Sequence, residues 1–236
     1  MKSANAQMII MLGIGVALFV LSYYFLQSEQ FEIYRIFSAL IPAIYLACLV
    51  VFLRKRAKRG LILFFSLYAI SRLISVFYEI DYMASLFLIV NALAFLSLTW
   101  YVYRSNSFSK MNYFLKIVFG IVILINAYFI YKLIVFVKDG TLSEAHYISM
   151  QFNGVCAIIM VFSALLYNHQ QGSRASMFYL IAVLLMIFSQ VFLTLGYYDI
   201  GYGDGVSVYF ARLLLICSCI MFVRYNDAFV PAPVSN

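Results

Sequence analysis

Charge is scarce in this chain. Of 236 residues, 16 are Lys or Arg and 9 are Asp or Glu, together 11%, while 66% are hydrophobic. A soluble domain is about a quarter charged and about half apolar. A globule of this size could not bury so much apolar surface and still cover itself with polar groups, so a water-soluble fold is excluded. Disorder is excluded with it, because that state needs low hydrophobicity and high charge. The remaining class is an integral membrane protein, and the length suits one compact bundle.

Residues that carry site chemistry are also few. The two histidines, His146 and His169, fall at opposite membrane faces and read as solvated loop residues, unable to share a metal or a triad. The four cysteines, Cys48, Cys156, Cys217 and Cys219, lie inside apolar runs and read as small buried hydrophobes. Cys217 and Cys219 point to nearly opposite faces of a helix, so no metal is expected, and no cofactor. There is no G-x-S-x-G elbow and no phosphate-binding glycine loop. Gly201–Gly205 is a short turn whose flanking Asp199 and Asp204 could bind a cation weakly or simply form the turn. No lysine sits mid-span in the last two apolar runs, which disfavours a retinal Schiff base. Of three prolines only Pro42 falls inside an apolar run, so the broken helices typical of transporter sites are not evident. No catalytic residue is assigned on these grounds.

What the chain has is length of apolar run. About 20 apolar residues cross the hydrocarbon layer as a helix. Eight such segments are present, at about 7–26, 33–53, 61–79, 83–103, 113–137, 147–167, 177–197 and 206–224. They are solidly apolar, which excludes the alternation of a β-barrel, and isolated sheet edges cannot sit in lipid. The expectation is an all-α, polytopic bundle of eight transmembrane helices forming one domain over 1–229, with a short tail at 230–236. The first run is too long for a typical signal-peptide core and no clear cleavage site follows it.

The few charges sort by side. One set of connections holds Arg54, Lys55, Arg56, Lys58, Arg59, Arg104, Lys110 and Arg174, with Lys2, Lys116 and Arg224 on the same side and Asp227 as its only acid. The other holds Glu29, Glu32, Glu79, Asp81, Asp139, Glu144, Asp199 and Asp204 against Arg35, Lys132 and Lys138. Basic loops stay cytoplasmic, so both termini are expected in the cytoplasm, as an even number of spans requires. The net charge of +7 then reflects orientation and contact with anionic lipid heads, and nucleic acid is not a partner. The expected location is a cell membrane of the bacterial cytoplasmic type. Membrane lipids are the expected partners, and the oligomeric state is open.

A faint parallel 4+4 repeat runs through the chain. Spans two to four carry a basic loop, Ser71-Arg72, an acidic turn at Glu79 and Asp81, then Asn91 and Tyr103-Arg104. Spans six to eight carry Arg174, Ser189-Gln190, an acidic turn at Asp199 and Asp204, then Arg212 and Arg224-Tyr225. Chance similarity among apolar helices is the competing explanation.

Two charges are not explained by orientation. Arg72 and Arg212 lie within spans three and eight, each roughly 10 Å below the acidic surface at 1.5 Å per residue. At that depth or deeper lie Asn91, Asn126, Gln151, Asn153, Ser189 and Gln190. These eight are the candidate lining of one polar cavity, with the arginines as fixed charges for an anion or a lipid head group. The competing reading is structural: Arg72 snorkels to Glu79 or Asp81, and the amides are interhelical glue.

The layout, with Ser71-Arg72 in span three, Phe87 and Asn91 in span four, Phe188-Ser189-Gln190 in span seven and Tyr209-Phe210-Ala211 in span eight, resembles the YhhN family of lysoplasmalogenase-like membrane proteins. The resemblance implies eight spans and hydrolysis of a lysoplasmalogen vinyl ether through paired carboxylates. Where the family has its two aspartates, this chain has Arg72 and Gln190, neither of which donates a proton near neutral pH. The resemblance therefore implies the architecture more strongly than the activity. Beside an ether-lipid hydrolase stand a non-catalytic binder of anionic lipid and a small transporter or sensor.

Overall fold

The computed structural model describes residues 2–28, 31–53, 58–103, 113–198 and 205–228, and these form eight long helices. They are α1 (Lys2–Gln27), α2 (Phe31–Leu53), α3 (Arg59–Ile74), α4 (Asp81–Tyr103), α5 (Tyr113–Phe136), α6 (Glu144–Gln171), α7 (Arg174–Tyr197) and α8 (Val206–Ala228). Each is long and apolar enough to cross a membrane, α3 together with the 3-10 turn that extends it to Phe77, and the chain reads as a multi-pass membrane protein. Helices are the solution available to such runs, because every backbone amide finds its partner within the segment. Arg54, Lys55, Arg56, Arg104, Lys110, the Gly201–Asp204 turn with Asp199, and the 230–236 tail lie outside the described residues.

The eight expected runs and the eight helices coincide, with the largest differences at α1, α3 and α6; α3 stops at Ile74 and continues only as a 3-10 turn over Ser75–Phe77, short of the expected end at residue 79. Helix α6 starts at Glu144 and runs to Gln171, several residues beyond the apolar core, because its ends are capped. The Ser143 side chain accepts from the His146 amide, and Gly172 closes the other end in the left-handed region at φ 53°. Ser173 then caps α7 in a reciprocal box with Ser176. The α6–α7 connection is thus two residues long and built entirely of capping groups.

Packing is uneven along the membrane normal. Helices α7 and α8 form the most extensive pair, followed by α4 with α6 and α3 with α4, while α5 rests mainly on α6. Toward the basic end the interior is filled by large side chains. Phe64, Phe65, Tyr68, Tyr179, Phe222 and Tyr225 are all fully buried, and their rings meet at centroid distances such as 5.2 Å for Phe64–Phe222 and 5.1 Å for Tyr179–Tyr225. Edge and offset contacts of this kind stabilise beyond simple area burial. Lys58, just before α3, lies 3.9 Å from the Tyr225 ring centroid, and burial brings its ammonium down to about 8. Toward the acidic end this filling stops and a cavity opens.

The candidate anion cavity

The cavity has a volume of about 370 Å³ and lies among the acidic-end portions of α1, α2, α3, α4, α6, α7 and α8. Arg72 from α3, Arg212 from α8, Asn153 from α6 and Gln190 from α7 all line it. Arg35 does so as well, from the first turns of α2. Three arginines thus line one space, and no carboxylate lines it among the described residues.

The three arginines are not equivalent. Arg35 is paired with the exposed Glu79 at 2.8 Å. The Nε of Arg212 donates to the Tyr34 hydroxyl at 2.8 Å, and its guanidinium stands 5.2 Å from the centre of the same ring. Arg72 is 2% exposed and stands over the rings of Tyr68 and Phe87, at 4.8 and 5.3 Å. Its Nε and Nη2 have no hydrogen-bond partner. These two nitrogens share one edge of the guanidinium, the edge that forks onto two oxygens of a carboxylate or phosphate. The two acids expected as its outward partners are engaged elsewhere: Glu79 pairs with Arg35, and Asp81 accepts from the Ser143 hydroxyl. Arg72 itself is buried and lines the cavity.

The polar residues expected beside the arginines divide into three groups. Asn153 and Gln190 reach the cavity while also tying helices together, with Asn91 Nδ2 donating to Asn153 Oδ1 at 2.9 Å and Gln190 Nε2 donating to the Tyr68 hydroxyl at 2.7 Å. Asn91 and Ser189 are buried behind the wall, where Asn91 holds Asn153 and the Ser189 hydroxyl donates to the Ala211 carbonyl at 2.7 Å. Gln151 and Asn126 stand apart from the lining. Gln151 is half-buried, two residues and about 200° around α6 from Asn153. Asn126 is exposed on α5, bonded to its own helix at the Val122 carbonyl, because α5 is apolar all round and packs this residue away from α6.

Several residues of the site carry no isolated signal in the sequence. Tyr197-Tyr198 ends an apolar run and reads as part of an interfacial belt, yet Tyr198 lines the cavity. His146, expected in a solvated loop, is fully buried in the first turn of α6, because the Ser143 cap starts that helix early. Its Nε2 lies 2.7 Å from the Tyr78 hydroxyl, which lies 3.2 Å from the Tyr198 hydroxyl. Tyr78 also lines the cavity.

A second, smaller space of about 70 Å³ adjoins the first and shares Met150, Asn153, Gln190 and Thr194 with it. Its other walls are apolar and include Ile130, Leu133 and Ile134 of α5. No family model, no curated protein and no solved structure matches the chain.

Proposed function

We propose that the protein is a multi-pass membrane receptor for the anionic head group of an amphiphile, and that it binds without cleaving. The observation that carries this reading is a buried Arg72, with no hydrogen-bond partner at Nε and Nη2, in the wall of a cavity that Arg212 also lines. A guanidinium shut in a low-dielectric space with no counter-ion is costly, and an oxyanion supplies both the missing charge and the missing acceptors. The apolar space beside the polar one suits an amphiphile better than a fully hydrated ion.

The resemblance to the YhhN family supports the same lipid-facing scaffold but not its chemistry. Vinyl-ether hydrolysis needs a proton donor and an activated water, and the positions of the two family aspartates carry Arg72 and Gln190. The charge sorting supports both termini in the cytoplasm, which places the cavity toward the opposite leaflet. The correspondence of α1–α4 with α5–α8 as a parallel repeat is supported by Arg72 and Gln190, its matched positions, reaching one cavity.

The test is binding of dodecyl phosphate to the purified protein in lipid nanodiscs. Arg72→Gln and Arg212→Gln should each weaken binding about 10- to 100-fold, the range for a charge-assisted hydrogen bond of about 1.5–3 kcal/mol. Dodecyltrimethylammonium should not compete. Equal affinity in both variants would overturn the reading. Release of a fatty aldehyde from a lysoplasmalogen by the same preparation would restore the hydrolase in its place.

A further inference from the structure

The Tyr78–Tyr198 pair is joined to His146 in a way that fixes where its protons go. The backbone N–H of Leu142 donates to His146 Nδ1 at 3.2 Å. Nδ1 is therefore an acceptor, and the neutral ring carries its hydrogen on Nε2. That N–H donates to the Tyr78 hydroxyl at 2.7 Å. The histidine is held in this orientation twice more: its backbone N–H donates to the Ser143 hydroxyl oxygen at 3.1 Å, and its ring meets Tyr78 edge-on at 5.2 Å.

The rest follows by counting. Tyr78 and Tyr198 own two hydroxyl protons, and one of them makes the 3.2 Å bond between the two oxygens. Neither proton goes to His146, which is itself the donor. One O–H is left over, and it has no acceptor among the described residues. Both tyrosines line the cavity, so this remaining donor is available to an acceptor placed there. The opposite histidine tautomer would consume Tyr78's proton and leave the cavity none. His146 is thus a positioning residue, and Leu142 sets its polarity.

We infer that the Tyr78–Tyr198 pair, polarised by His146, selects a phosphate over a carboxylate head group. This rests on the anion-receptor reading above and deepens it. A carboxylate has two oxygens, which the Arg72 and Arg212 guanidiniums use. A phosphate monoester has further oxygens, and the spare hydroxyl is an uncharged donor placed for one of them.

The experiment compares dodecyl phosphate with dodecanoate on the full chain in nanodiscs, for wild type, the Tyr78→Phe/Tyr198→Phe double variant and Arg72→Gln. Wild type should prefer the phosphate about 10- to 100-fold, the ratio expected from one hydrogen bond to a charged acceptor of about 1.5–3 kcal/mol. The double variant should bind dodecyl phosphate more weakly by about that factor while its affinity for dodecanoate stays nearly unchanged. Each single Phe variant should keep part of the preference, because the other hydroxyl still supplies a proton. A double variant that retains the preference, or a wild type that shows none, overturns the selection while leaving the receptor reading intact if Arg72→Gln still weakens binding. A wild type that binds neither ligand overturns both. Nitrogen-15 NMR of the histidines gives a check independent of ligand. With only two histidines in the chain, His169→Gln assigns the spectrum. His146 should show a protonated Nε2 and a bare Nδ1, and the reverse tautomer would remove the basis of the proposal.

Discussion

A guanidinium at membrane depth is retained at the expense of stability, and Arg72 shows how that cost is arranged. Its charge rests on two aromatic faces, each contact worth on the order of 1–2 kcal/mol when desolvated. Two of its nitrogens are nevertheless left without acceptors, and an unmet buried donor costs about 1–3 kcal/mol, more when charged. Function and stability should therefore part company here. Arg72→Met keeps the volume and the aromatic contacts while removing the charge. It should raise the unfolding temperature of the ligand-free protein by a few degrees, in line with the ~1–3 kcal/mol released. It should also abolish the stabilisation that added dodecyl phosphate gives the wild type. Thermal unfolding with and without the ligand measures both, and a destabilised empty variant would mean that Arg72 is a structural anchor. Arg72 and Arg212 were legible because a charge inside an apolar run has few explanations. Tyr198 and His146 were not. A tyrosine at a span end looks the same whether it faces lipid or a cavity, and a histidine one residue outside an apolar run looks solvated until a serine cap draws it into the helix.

At the scale of elements, the helices were legible and their rotation was not. Twenty apolar residues define a span, but a helix apolar on all sides gives no stripe from which to read the inward face. Asn126 is the example. It shares its depth with the cavity residues, yet α5 turns it outward. Only Ile134 of α5 is fully buried among its described side chains, and α5 rests mainly on α6. Gly154 makes that contact. A Cβ there would stand 2.9 Å from Cγ2 of Ile130 and 3.0 Å from Cδ1 of Ile134. Alanine could be admitted by small shifts of those two side-chain ends. A leucine could not, and overpacking of this kind costs about 1–3 kcal/mol. Gly154→Leu should therefore loosen α5 alone. Hydrogen exchange read by mass spectrometry should speed up in residues 113–136 by about 10- to 100-fold, while α7 and α8, the most extensive pair, keep their protection. Equal loss of protection in all helices would show that α5 is integral to the core. Because Ile130 and Ile134 also wall the smaller space, the same variant should weaken dodecyl phosphate more than a short-chain phosphate.

For the whole molecule, the ordering of charge and the ordering of packing run along the same axis. Lys58, Arg59, Arg174 and Arg224 sit at the end where aromatic rings fill the interior. Glu79, Asp81, Asp139 and Glu144 sit at the end where the cavity opens. The first ordering was legible in the sequence, because loop charges need no tertiary information. The second was not, because it depends on which helices are neighbours. Together they predict from which leaflet the cavity is reached. If the basic end is cytoplasmic, an anionic amphiphile enters from the opposite leaflet, and the exposed acids at the rim leave Arg72 and Arg212 as the deeper attractors. Cysteine labelling decides the orientation. In a background with Cys48, Cys156, Cys217 and Cys219 changed to alanine, Asp139→Cys should react with a membrane-impermeant maleimide in intact cells. Arg174→Cys should react only after the membrane is permeabilised. The reverse pattern would turn the cavity toward the cytoplasm. The anion would then be a cytoplasmic one, and the basic loops would have crossed the membrane against the charge rule.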